Sequence, residues 1–372
     1  MRVINKQVIK QASVTMIIIK TIESLSCKQW DDFVITHDFG WITHLSGWKR
    51  VIEKCFPHIR SHGFSLVNNS SNSITGGLPF YSVKSKLLGN RLISIPFATI
   101  CDPLVSNTDE MTQLLNAAKA YLDTGNIFKY LEIKTLLSSS YLHDDQFAHA
   151  SHFKHHFISL QKTPDELIKT FNRTCVRQRI GRALKSHFTI SCAHDEAGVR
   201  AFYKLYLLTR KRVALPPMPY IFIKSLWEEF AENGLLSILL VRRDRVTIGG
   251  ALIFKFKNRV SVEFAATDEQ HKGYSPMHFL FWNIITKSYE EKYEIVDFGR
   301  TSAFNAGLMK FKSQWGTQVM DFQHFFYPAS YCGTDESQQE ESISKRALSF
   351  ISKHSNSFLL EQLGNFCYRH LG

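Results

Sequence analysis

The stretch from Asp297 to Gly316 reads D-F-G-R-T-S-A-F-N-A-G-L-M-K-F-K-S-Q-W-G and carries more polar groups than a simple connection needs. The apolar residues Ile295, Val296 and Phe298 predict a buried strand that leads into it. Gly299 follows directly, and its missing side chain lets the backbone turn sharply or approach a ligand. The polar side chains behind that turn are Arg300, Thr301, Ser302, Asn305, Lys310 and Lys312. We therefore predict a strand that ends in a functional loop.

The strand before this loop closes a pattern in the second half of the chain. Gly249-Gly250 opens the strand A-L-I-F-K-F, and Lys257-Asn258 makes a tight turn. The segment R-V-S-V-E-F-A-A returns as a strand, with strict alternation of apolar and polar residues at its centre. A helix is predicted from about Pro276 to Tyr289, before the closing strand Y-E-I-V-D-F.

The same order of elements occurs in the first half. Gly76-Gly77 opens the apolar run L-P-F-Y-S-V, and R-L-I-S-I-P-F-A returns. A helix from about Glu110 to Leu122 and the strand F-K-Y-L-E-I-K follow. Both closing strands carry an acidic residue near the centre, Glu132 and Asp297. This parallel favours an internal duplication of a β-β-α-β unit, although an unrelated α/β protein can show such a pattern by chance.

The length of 372 residues fits about two domains. We predict an α/β (α+β) protein with mixed sheets flanked by helices. The predicted divisions are an N-terminal domain at 1–157, a C-terminal domain at 158–330, and a linker with a C-terminal helix at 331–372. Residues 1–20 are predicted to be a basic leader that ends in a short strand.

The formal net charge of +12 indicates a basic surface, which attracts phosphate groups. Candidate partners are a nucleic acid, an anionic membrane surface, or a phosphorylated small molecule. The seven cysteines are scattered and odd in number, which favours reduced thiols in the cytoplasm. No stretch reaches the roughly 18 to 20 apolar residues that cross a bilayer, so we expect a cytoplasmic protein that at most touches a membrane.

Three histidines lie between the halves at helical spacing: His149, His152 and His156. With neighbouring aspartates they could ligate zinc. The alternative is a solvated inter-domain segment, which we favour because the usual two-plus-two ligand arrangement is missing. No metal site is predicted.

An arginine-rich segment, R-T-C-V-R-Q-R-I-G-R-A-L-K, begins at Arg173 and ends at Lys185. In a helix Arg173 and Arg177 face the same side and can bind one target. Guanidinium groups suit phosphates and carboxylates, so these two residues are candidate substrate-binding residues. A merely solvated basic face is equally compatible with the sequence.

The loop between the second hairpin and its helix holds Gln270, Gly273 and Ser275 in the pattern Q-x-x-G-x-S. A glycine-bearing strand-to-helix turn can direct backbone N–H groups at a pyrophosphate. The pattern resembles the coenzyme A loop Q/R-x-x-G-x-G/A of GCN5-related N-acetyltransferases. These three residues are therefore candidate cofactor-binding residues.

The stretch D-F-G-R-T, a spacer, and G-L-M-K-F-K-S-Q-W-G resembles the C-terminal signature of FemAB-like acyltransferases. This group has a tandem acetyltransferase fold and includes the BioF2-like acetyltransferase domain. Further segments resemble the same group in the same order across most of residues 25–325. They are H-x-x-x-W at His44 to Trp48, P-F-A-T-I-C-D-P-L, the arginine-rich segment, and L-F-W-N-I-I.

This resemblance implies two tandem acetyltransferase-like domains that move an acyl or aminoacyl group to an amine or hydroxyl. The implied acceptor is a cell-envelope or exopolysaccharide precursor: a phosphorylated, nucleotide-linked or lipid-linked molecule. The implied co-substrate is acyl-CoA or aminoacyl-tRNA, with tRNA as a possible partner and no permanently bound cofactor.

The resemblance also implies roles for single residues. It makes Lys312 the catalytic residue that stabilises the reacting acyl group, and a cation there suits the oxyanion that develops. Trp48, Thr301 and Asn305 are further candidate substrate-binding residues. Arg300 either binds a substrate phosphate or carboxylate or pairs with an acid such as Asp297.

Two points stay open at this level. Asp297 is a structural acid or a general base, and its apolar strand favours the structural role. Rival functions are a nucleic-acid-binding protein, motivated by the charge, and a catalytically silent scaffold of a polysaccharide assembly system.

The end of the chain begins with a polar segment at 333–342 that is predicted to be a flexible linker. The final segment is predicted to be a helix with one apolar face formed by Leu359, Leu360, Leu363, Phe366 and Cys367. That face either docks on its own domain, which we favour, or lies on an anionic membrane.

Overall fold

The computed structural model describes residues 17–332 and 352–371, and these residues build a single mixed sheet of twelve strands flanked by helices. The predicted leader before Ile17 and the predicted linker at 333–342 lie outside the described residues. The strands are β1 (Ile17–Thr21), β2 (Ile59–Asn68), β3 (Ile74–Val83), β4 (Arg91–Ile93), β5 (Leu131–Thr135), β6 (Ala148–Ser159), β7 (Thr189–Cys192), β8 (Leu236–Arg243), β9 (Val246–Phe256), β10 (Arg259–Thr267), β11 (Ile295–Ser302) and β12 (Gln318–Tyr327).

The helices begin and end where local sequence signals place them. Ser26 caps α1 through a capping box with Gln29, and Asn107 caps α3 by accepting from the Glu110 N–H. The helices are α1 (Cys27–Thr36), α2 (Ser46–Cys55), α3 (Thr108–Asp123), α4 (Pro164–Thr170), α5 (Gln178–Leu184), α6 (Glu196–Arg212), α7 (Tyr220–Phe230), α8 (Pro276–Glu290), α9 (Ala306–Ser313) and the C-terminal helix (Ser357–Cys367).

The predicted duplication is present in the sheet. In the first half β3 pairs antiparallel with β4, α3 crosses over, and β5 pairs parallel with β4. In the second half β9, β10, α8 and β11 repeat that arrangement. The predicted return strand R-L-I-S-I-P-F-A is shorter than expected because regular pairing ends at Ile93, three residues before Pro96, which has no N–H to donate.

The two halves exchange their last strands at the centre of the sheet. The strand order is β1-β2-β3-β4-β5-β12-β6-β11-β10-β9-β8-β7. Thus β6, from the first half, pairs with β11 of the second, and β12 pairs with β5 of the first. The predicted division at 157–158 falls inside β6 and stays a prediction.

The segment that holds His149, His152 and His156 is a strand and not a helix, and the prediction that it is solvated holds for His149 and His152, which are exposed. Residues 148–159 form the strand β6, and His155 and His156 are fully buried. The histidine spacing suits a helix, but pairing with β11 on one side and β12 on the other makes this segment a strand.

A shared hydrophobic core also joins the halves. Trp48 on α2 packs edge-on against Phe222 and Phe254 of the second half, with ring centroids 6.2 and 5.9 Å away. Its side chain is only 1% exposed. The prediction that Trp48 binds substrate is therefore wrong, because the indole is enclosed by core residues.

The C-terminal helix docks on the protein, as favoured from sequence. Leu360, Gly364 and Cys367 face inward. The predicted composition of its apolar face is wrong, however, because Leu359 and Phe366 are 53% and 56% exposed. In the described residues no helix is long and apolar enough to span a bilayer.

Candidate functional site

The strands β10 and β11 lie side by side for three residue pairs and then part. The pairs are Arg259 with Ile295, Val260 with Val296, and Ser261 with Asp297. Beyond them both strands change register, β10 at Glu263 and β11 between Asp297 and Gly299. Backbone N–H and C=O groups on the facing sides lose their strand partner there and need another one. We call this opening the wedge.

Gly299 lies on the β11 side of the wedge. Its φ of +73° is in the left-handed region, where residues with a Cβ are strained. A Cβ at this position would meet only the Val262 carbonyl oxygen, at 3.9 Å. The backbone at Gly299 therefore borders open space that a ligand can enter.

Glu263 is the extra residue in the β10 bulge. Its side chain is partly exposed and makes no hydrogen bond or ion pair within the described residues. Burial raises the pKa of this carboxyl to about 7, the nearby Asp297 charge adds to the increase, and Arg300 opposes it. A partly accessible carboxylate with a pKa near neutrality can accept a proton during catalysis. Glu263 was not among the site residues predicted from the sequence. A usable signal was present, because Glu263 is the acidic residue of the strand R-V-S-V-E-F-A-A.

Arg300 extends over the ring of Phe153 on β6, with 4.7 Å between its guanidinium carbon and the ring centroid. The side chain is exposed to solvent. Surrounding protein lowers the pKa of its guanidinium, and the charges of Glu132 and Glu263 act in the opposite direction. The described residues contain no ion pair to Arg300, so its hydrogen-bond donors can bind an anion.

Asp297 does not pair with Arg300. Its Oδ2 atom lies 3.0 Å from His155 Nε2 and 3.1 Å from Arg259 Nη1, and its Oδ1 accepts the Gly299 N–H at 2.6 Å. Burial alone would raise the pKa of this carboxyl, but His155, Arg259 and the Gly299 N–H together lower it to about 2. Asp297 is fully buried and acts as a structural acid.

Lys312 on α9 is 5% exposed, and its ammonium group contacts the turn after Asp297. Lys312 Nζ donates to the carbonyl oxygens of Gly299 at 2.8 Å and Arg300 at 3.1 Å. Burial lowers the pKa of the ammonium to about 8, while Asp297 opposes that change. These contacts hold the backbone on one side of the wedge, and stabilisation of an oxyanion by Lys312 stays a prediction.

The structure places two other predicted substrate-binding residues in structural positions. Thr301 is 2% exposed, so a substrate cannot reach its hydroxyl. Asn305 caps α9, and its Oδ1 accepts the Leu308 N–H at 3.0 Å. The prediction for Thr301 is wrong because of burial, and the Asn305 oxygen is already used by the helix.

The predicted coenzyme A loop is a short 3₁₀ helix, Glu269–Tyr274, before α8. The Gln270 N–H is bonded to Asp268 Oδ1 at 3.0 Å. A Cβ on Gly273 would meet nothing within 4 Å, so a ligand can approach there. Ser275 is 5% exposed with φ +63°, and its contact with a ligand stays a prediction. Its carbonyl oxygen accepts the N–H groups of His278 and Phe279 as α8 begins.

The arginine-rich segment lies next to this loop. It forms a π-helical turn (Arg173–Arg177) followed by α5, rather than one regular helix. Arg182 Nη1 donates to the Gly273 carbonyl at 3.3 Å. Within the described part of the chain Arg173, Arg177 and Arg179 have no carboxylate at ion-pair distance, and the buried Arg177 Nε has no hydrogen-bond partner. The structure therefore brings cations and the Gly273 loop together.

The equivalent space in the first half is filled by the protein itself. Asp102 Oδ1 accepts the backbone N–H groups of Leu136, Leu137 and Ser138, each at 2.8 Å. Lys134 Nζ donates to the Ile95 carbonyl at 3.0 Å. Side chains of the protein thus bind the backbone just after β5 and just after β4 in this space, so the wedge of the second half is the better candidate site.

Two other features do not contribute to the wedge. A cavity of about 200 Å³ between the sheet and α8 is lined by residues such as Leu239 and Asn283, and by none of the wedge residues. Among residues 17–332 and 352–371 no cluster of three or more histidine, cysteine or acidic side chains could hold a metal ion. The wedge is therefore the candidate functional site.

The chain is similar to known proteins in sequence over part of its length and in fold over most of it. Residues 171–313, which include Glu263, Arg300 and Lys312, match the family model of the acetyltransferase (GNAT) domain. FemX has the same fold over 88% of this chain and 100% of its own, with 15% identity and a TM-score of 0.68. The resemblance to FemAB-like tandem acetyltransferase-fold proteins is confirmed.

Two further solved structures agree with the tandem FemX-like fold. The C-terminal domain of a putative lysylphosphatidylglycerol synthetase from Agrobacterium fabrum covers 86% of this chain and 95% of its own, with 13% identity and a TM-score of 0.53. A tandem GNAT protein from the clavulanic acid pathway covers 84% and 98%, with 12% identity and a TM-score of 0.50. No curated protein matches the chain. At these identities the solved structures establish the fold alone.

Proposed function

We propose that this FemAB-like protein transfers an acyl group from a donor bound in the wedge to an amine or hydroxyl of an anionic acceptor. The parting of β10 and β11 carries this proposal, because it opens a gap between neighbouring strands beside the proton acceptor Glu263 and the anion-binding Arg300. The GNAT match of residues 171–313 supports the same chemistry.

The donor favoured by this geometry is an acyl-CoA thioester. The amide groups of its extended arm can bond to the backbone along the edges of β10 and β11 that face each other across the wedge. Its phosphates can lie near Gly273, where the exposed Arg182 side chain contacts the loop. A second candidate donor is aminoacyl-tRNA, favoured by the arginines 173, 177 and 179, which lack acidic partners within the described residues.

The reaction needs one proton acceptor and one charge stabiliser. The acceptor amine attacks the thioester carbon, the C–N bond forms, and the C–S bond breaks to release the thiol. Glu263 receives the proton that the amine loses and can return it to the leaving sulfur. Lys312 fixes the Gly299 turn through two carbonyl oxygens and places a positive charge near the developing oxyanion.

Arg300 is the residue that binds the acceptor in this proposal. A guanidinium that stacks on Phe153 and has no carboxylate at ion-pair distance in the described chain suits a phosphate or carboxylate. A cell-envelope or exopolysaccharide precursor with such a group is the proposed acceptor, in the cytoplasm or at the inner membrane face. One similar structure is named as a putative lysylphosphatidylglycerol synthetase domain, which supports an envelope acceptor.

Calorimetric titration of the full chain with acetyl-CoA, and with an aminoacyl-tRNA analogue, tests the proposed donor site. We expect acetyl-CoA to bind, and Arg182→Ala to weaken that binding while the exposed control Arg200→Ala does not. Binding only to the tRNA analogue would select the second donor. Binding to generic RNA with a steep salt dependence would support the nucleic-acid function instead. No binding to either donor would favour a silent scaffold.

A further inference from the structure

The loop between β3 and β4 and the end of the C-terminal helix form one continuous surface. Ser85 Oγ lies 3.2 Å from His370 Nδ1, and Arg91 Nη2 donates to the His370 carbonyl at 3.1 Å. The ring of Phe366 contacts the His370 ring, with centroids 5.5 Å apart. These contacts fasten two segments that are almost 300 positions apart in sequence. We call this region the loop–helix surface.

Large apolar side chains project from both parts of the loop–helix surface. Leu87 and Leu88 at the tip of the loop are 67% and 50% exposed. Phe366 and Leu371 on the helix side are 56% and 37% exposed. The turn is held rigidly, because Ser85 Oγ accepts the N–H groups of both leucines. A fixed, exposed apolar surface of this kind marks an interaction site rather than a disordered loop.

Cations surround these apolar side chains. Lys84 and Lys86 flank the tip, and Arg369 lies beside Phe366 on the helix side; all three are exposed. In the part of the chain that the structure describes, none of the three forms an ion pair, and residues 84–91 contain no acid. The loop–helix surface therefore has uncompensated positive charge next to exposed leucine and phenylalanine.

A cavity of about 580 Å³ adjoins the surface between the C-terminal helix and the end of α2. Its lining combines the apolar Phe56, Pro219 and Tyr368 with the polar Gln362 and the cationic Arg369. Such a mixed lining suits the boundary between an acyl chain and an anionic headgroup. The cavity extends the basic and apolar character of the surface inward.

We propose that the loop–helix surface docks the protein on an anionic phospholipid bilayer. Leu87, Leu88 and Phe366 enter the boundary between headgroups and acyl chains, and Lys84, Lys86 and Arg369 meet the headgroups. Charge complementarity selects this occupant, since a surface with exposed leucines among exposed lysines fits a negatively charged interface better than a neutral partner. The inference goes beyond the proposed transferase activity and does not depend on it.

Vesicle co-sedimentation of the full chain tests the proposal. Vesicles of phosphatidylcholine alone are compared with vesicles that also contain phosphatidylglycerol. We expect binding only to the anionic vesicles, with loss of binding at high salt. Lys84→Glu with Lys86→Glu should reduce the bound fraction at least about tenfold, because each cation near an anionic surface contributes on the order of fivefold in affinity.

A second variant and a matched control separate membrane contact from loss of folding. Leu87→Ser with Leu88→Ser should also release the protein from anionic vesicles. Ile35→Ser with Val246→Ser is the control, because those residues are 53% and 54% exposed but lie outside the surface. Circular dichroism of all variants checks that the fold is retained.

Three results would overturn the proposal. Equal binding to neutral and anionic vesicles would remove the role of the cations. Unchanged binding of both loop variants would place membrane contact elsewhere. A dimer in light scattering that Phe366→Ser dissociates would show that a second copy of the chain covers this surface.

Discussion

Glu132 on β5 and His324 on β12 join strands from opposite halves of the chain, with 2.7 Å between Glu132 Oε1 and His324 Nδ1. Asp297 on β11 and His155 on β6 repeat this contact at 3.0 Å. In each case the acid lies on the closing strand of one repeat, and the histidine lies on the exchanged strand of the other. The internal duplication thus places an acid–histidine pair at both joints of the central sheet.

The buried carboxylates of Glu132 and Asp297 should make the stability of the folded protein depend on pH. Partners lower the pKa of Glu132 from 4.5 and of Asp297 from 3.8 to about 2, despite burial. The two carboxylates stabilise the folded protein at pH values above their unfolded-state pKa values, and this stabilisation is lost as the pH falls towards 2. We expect the free energy of unfolding to drop by about 2 to 3 kcal/mol per carboxylate over that range.

Urea unfolding at a series of pH values measures this loss. Glu132→Gln should flatten the acid dependence, whereas Glu232→Gln, at an exposed position, should leave it unchanged. Asp297→Asn should in addition cost roughly 3 to 5 kcal/mol at neutral pH, because it leaves His155 and Arg259 without their buried partner. An unaltered acid dependence in Glu132→Gln would contradict the assignment.

Glu263 should set the pH profile of acyl transfer. Its pKa of about 7 means that kcat/KM rises with pH through neutrality and levels off above it, since only the carboxylate accepts a proton. Glu263→Gln should lower kcat by about 10²- to 10⁴-fold without weakening donor binding. A wild-type-like rate and profile in this variant would exclude Glu263 as the base.

Glu263 should also affect stability with the opposite sign from Glu132. Because its folded-state pKa is raised above 4.5, ionisation costs stability as the pH rises from 4.5 through about 7. Glu263→Gln should therefore stabilise the protein at pH 8, by on the order of 2 kcal/mol, and have little effect at pH 4. Thermal unfolding at both pH values measures the difference, and equal shifts would contradict it.

Lys312 should be needed for the geometry of the wedge. Lys312→Met removes the donor to the Gly299 and Arg300 carbonyls, and we expect kcat/KM to fall by about 10²-fold or more. Lys310→Met on the same helix is the matched control, because Lys310 is exposed. A folded Lys312→Met enzyme with the parental rate would show that neither positioning nor charge at this residue matters.

Arg300 should determine recognition of the anionic group on the acceptor. Arg300→Ala should raise KM for a phosphate-bearing acceptor about 10- to 100-fold, since a charge-assisted hydrogen bond contributes about 1.5 to 3 kcal/mol. Arg200, which also stacks on an aromatic ring, at 4.5 Å from Tyr220, provides the control substitution. A change in kcat alone would assign Arg300 to the chemical step instead.

Gly299 should be sensitive to substitution for conformational reasons. Gly299→Ala places a Cβ at φ +73°, which costs roughly 1 to 2 kcal/mol even though the neighbouring space is open. Gly273→Ala should be nearly neutral for stability, because nothing lies within 4 Å of its Cβ. Chemical denaturation measures the free energy of unfolding of both variants. An equal loss of stability in the two would contradict the prediction.

Three features could be predicted from the sequence: the repeated strand–strand–helix–strand order, the resemblance to FemAB-like proteins, and the importance of the stretch from Asp297 to Gly316. These features are local: glycine turns, alternation, helix caps and motif order are encoded within short segments. The structural role favoured for Asp297 also followed from its apolar surroundings, and its three buried contacts agree with it.

Tertiary packing, and not any short segment, determines which of the polar residues lie close together. The exchange of β6 and β12 depends on pairing between strands that are distant in sequence. The spacing of the histidines at 149–156 therefore could not show whether this segment is a strand or a helix. The bulge at Glu263, and the burial of Trp48 and Thr301, are consequences of packing. The wedge itself exists because two neighbouring strands part, and no single segment of sequence encodes that separation.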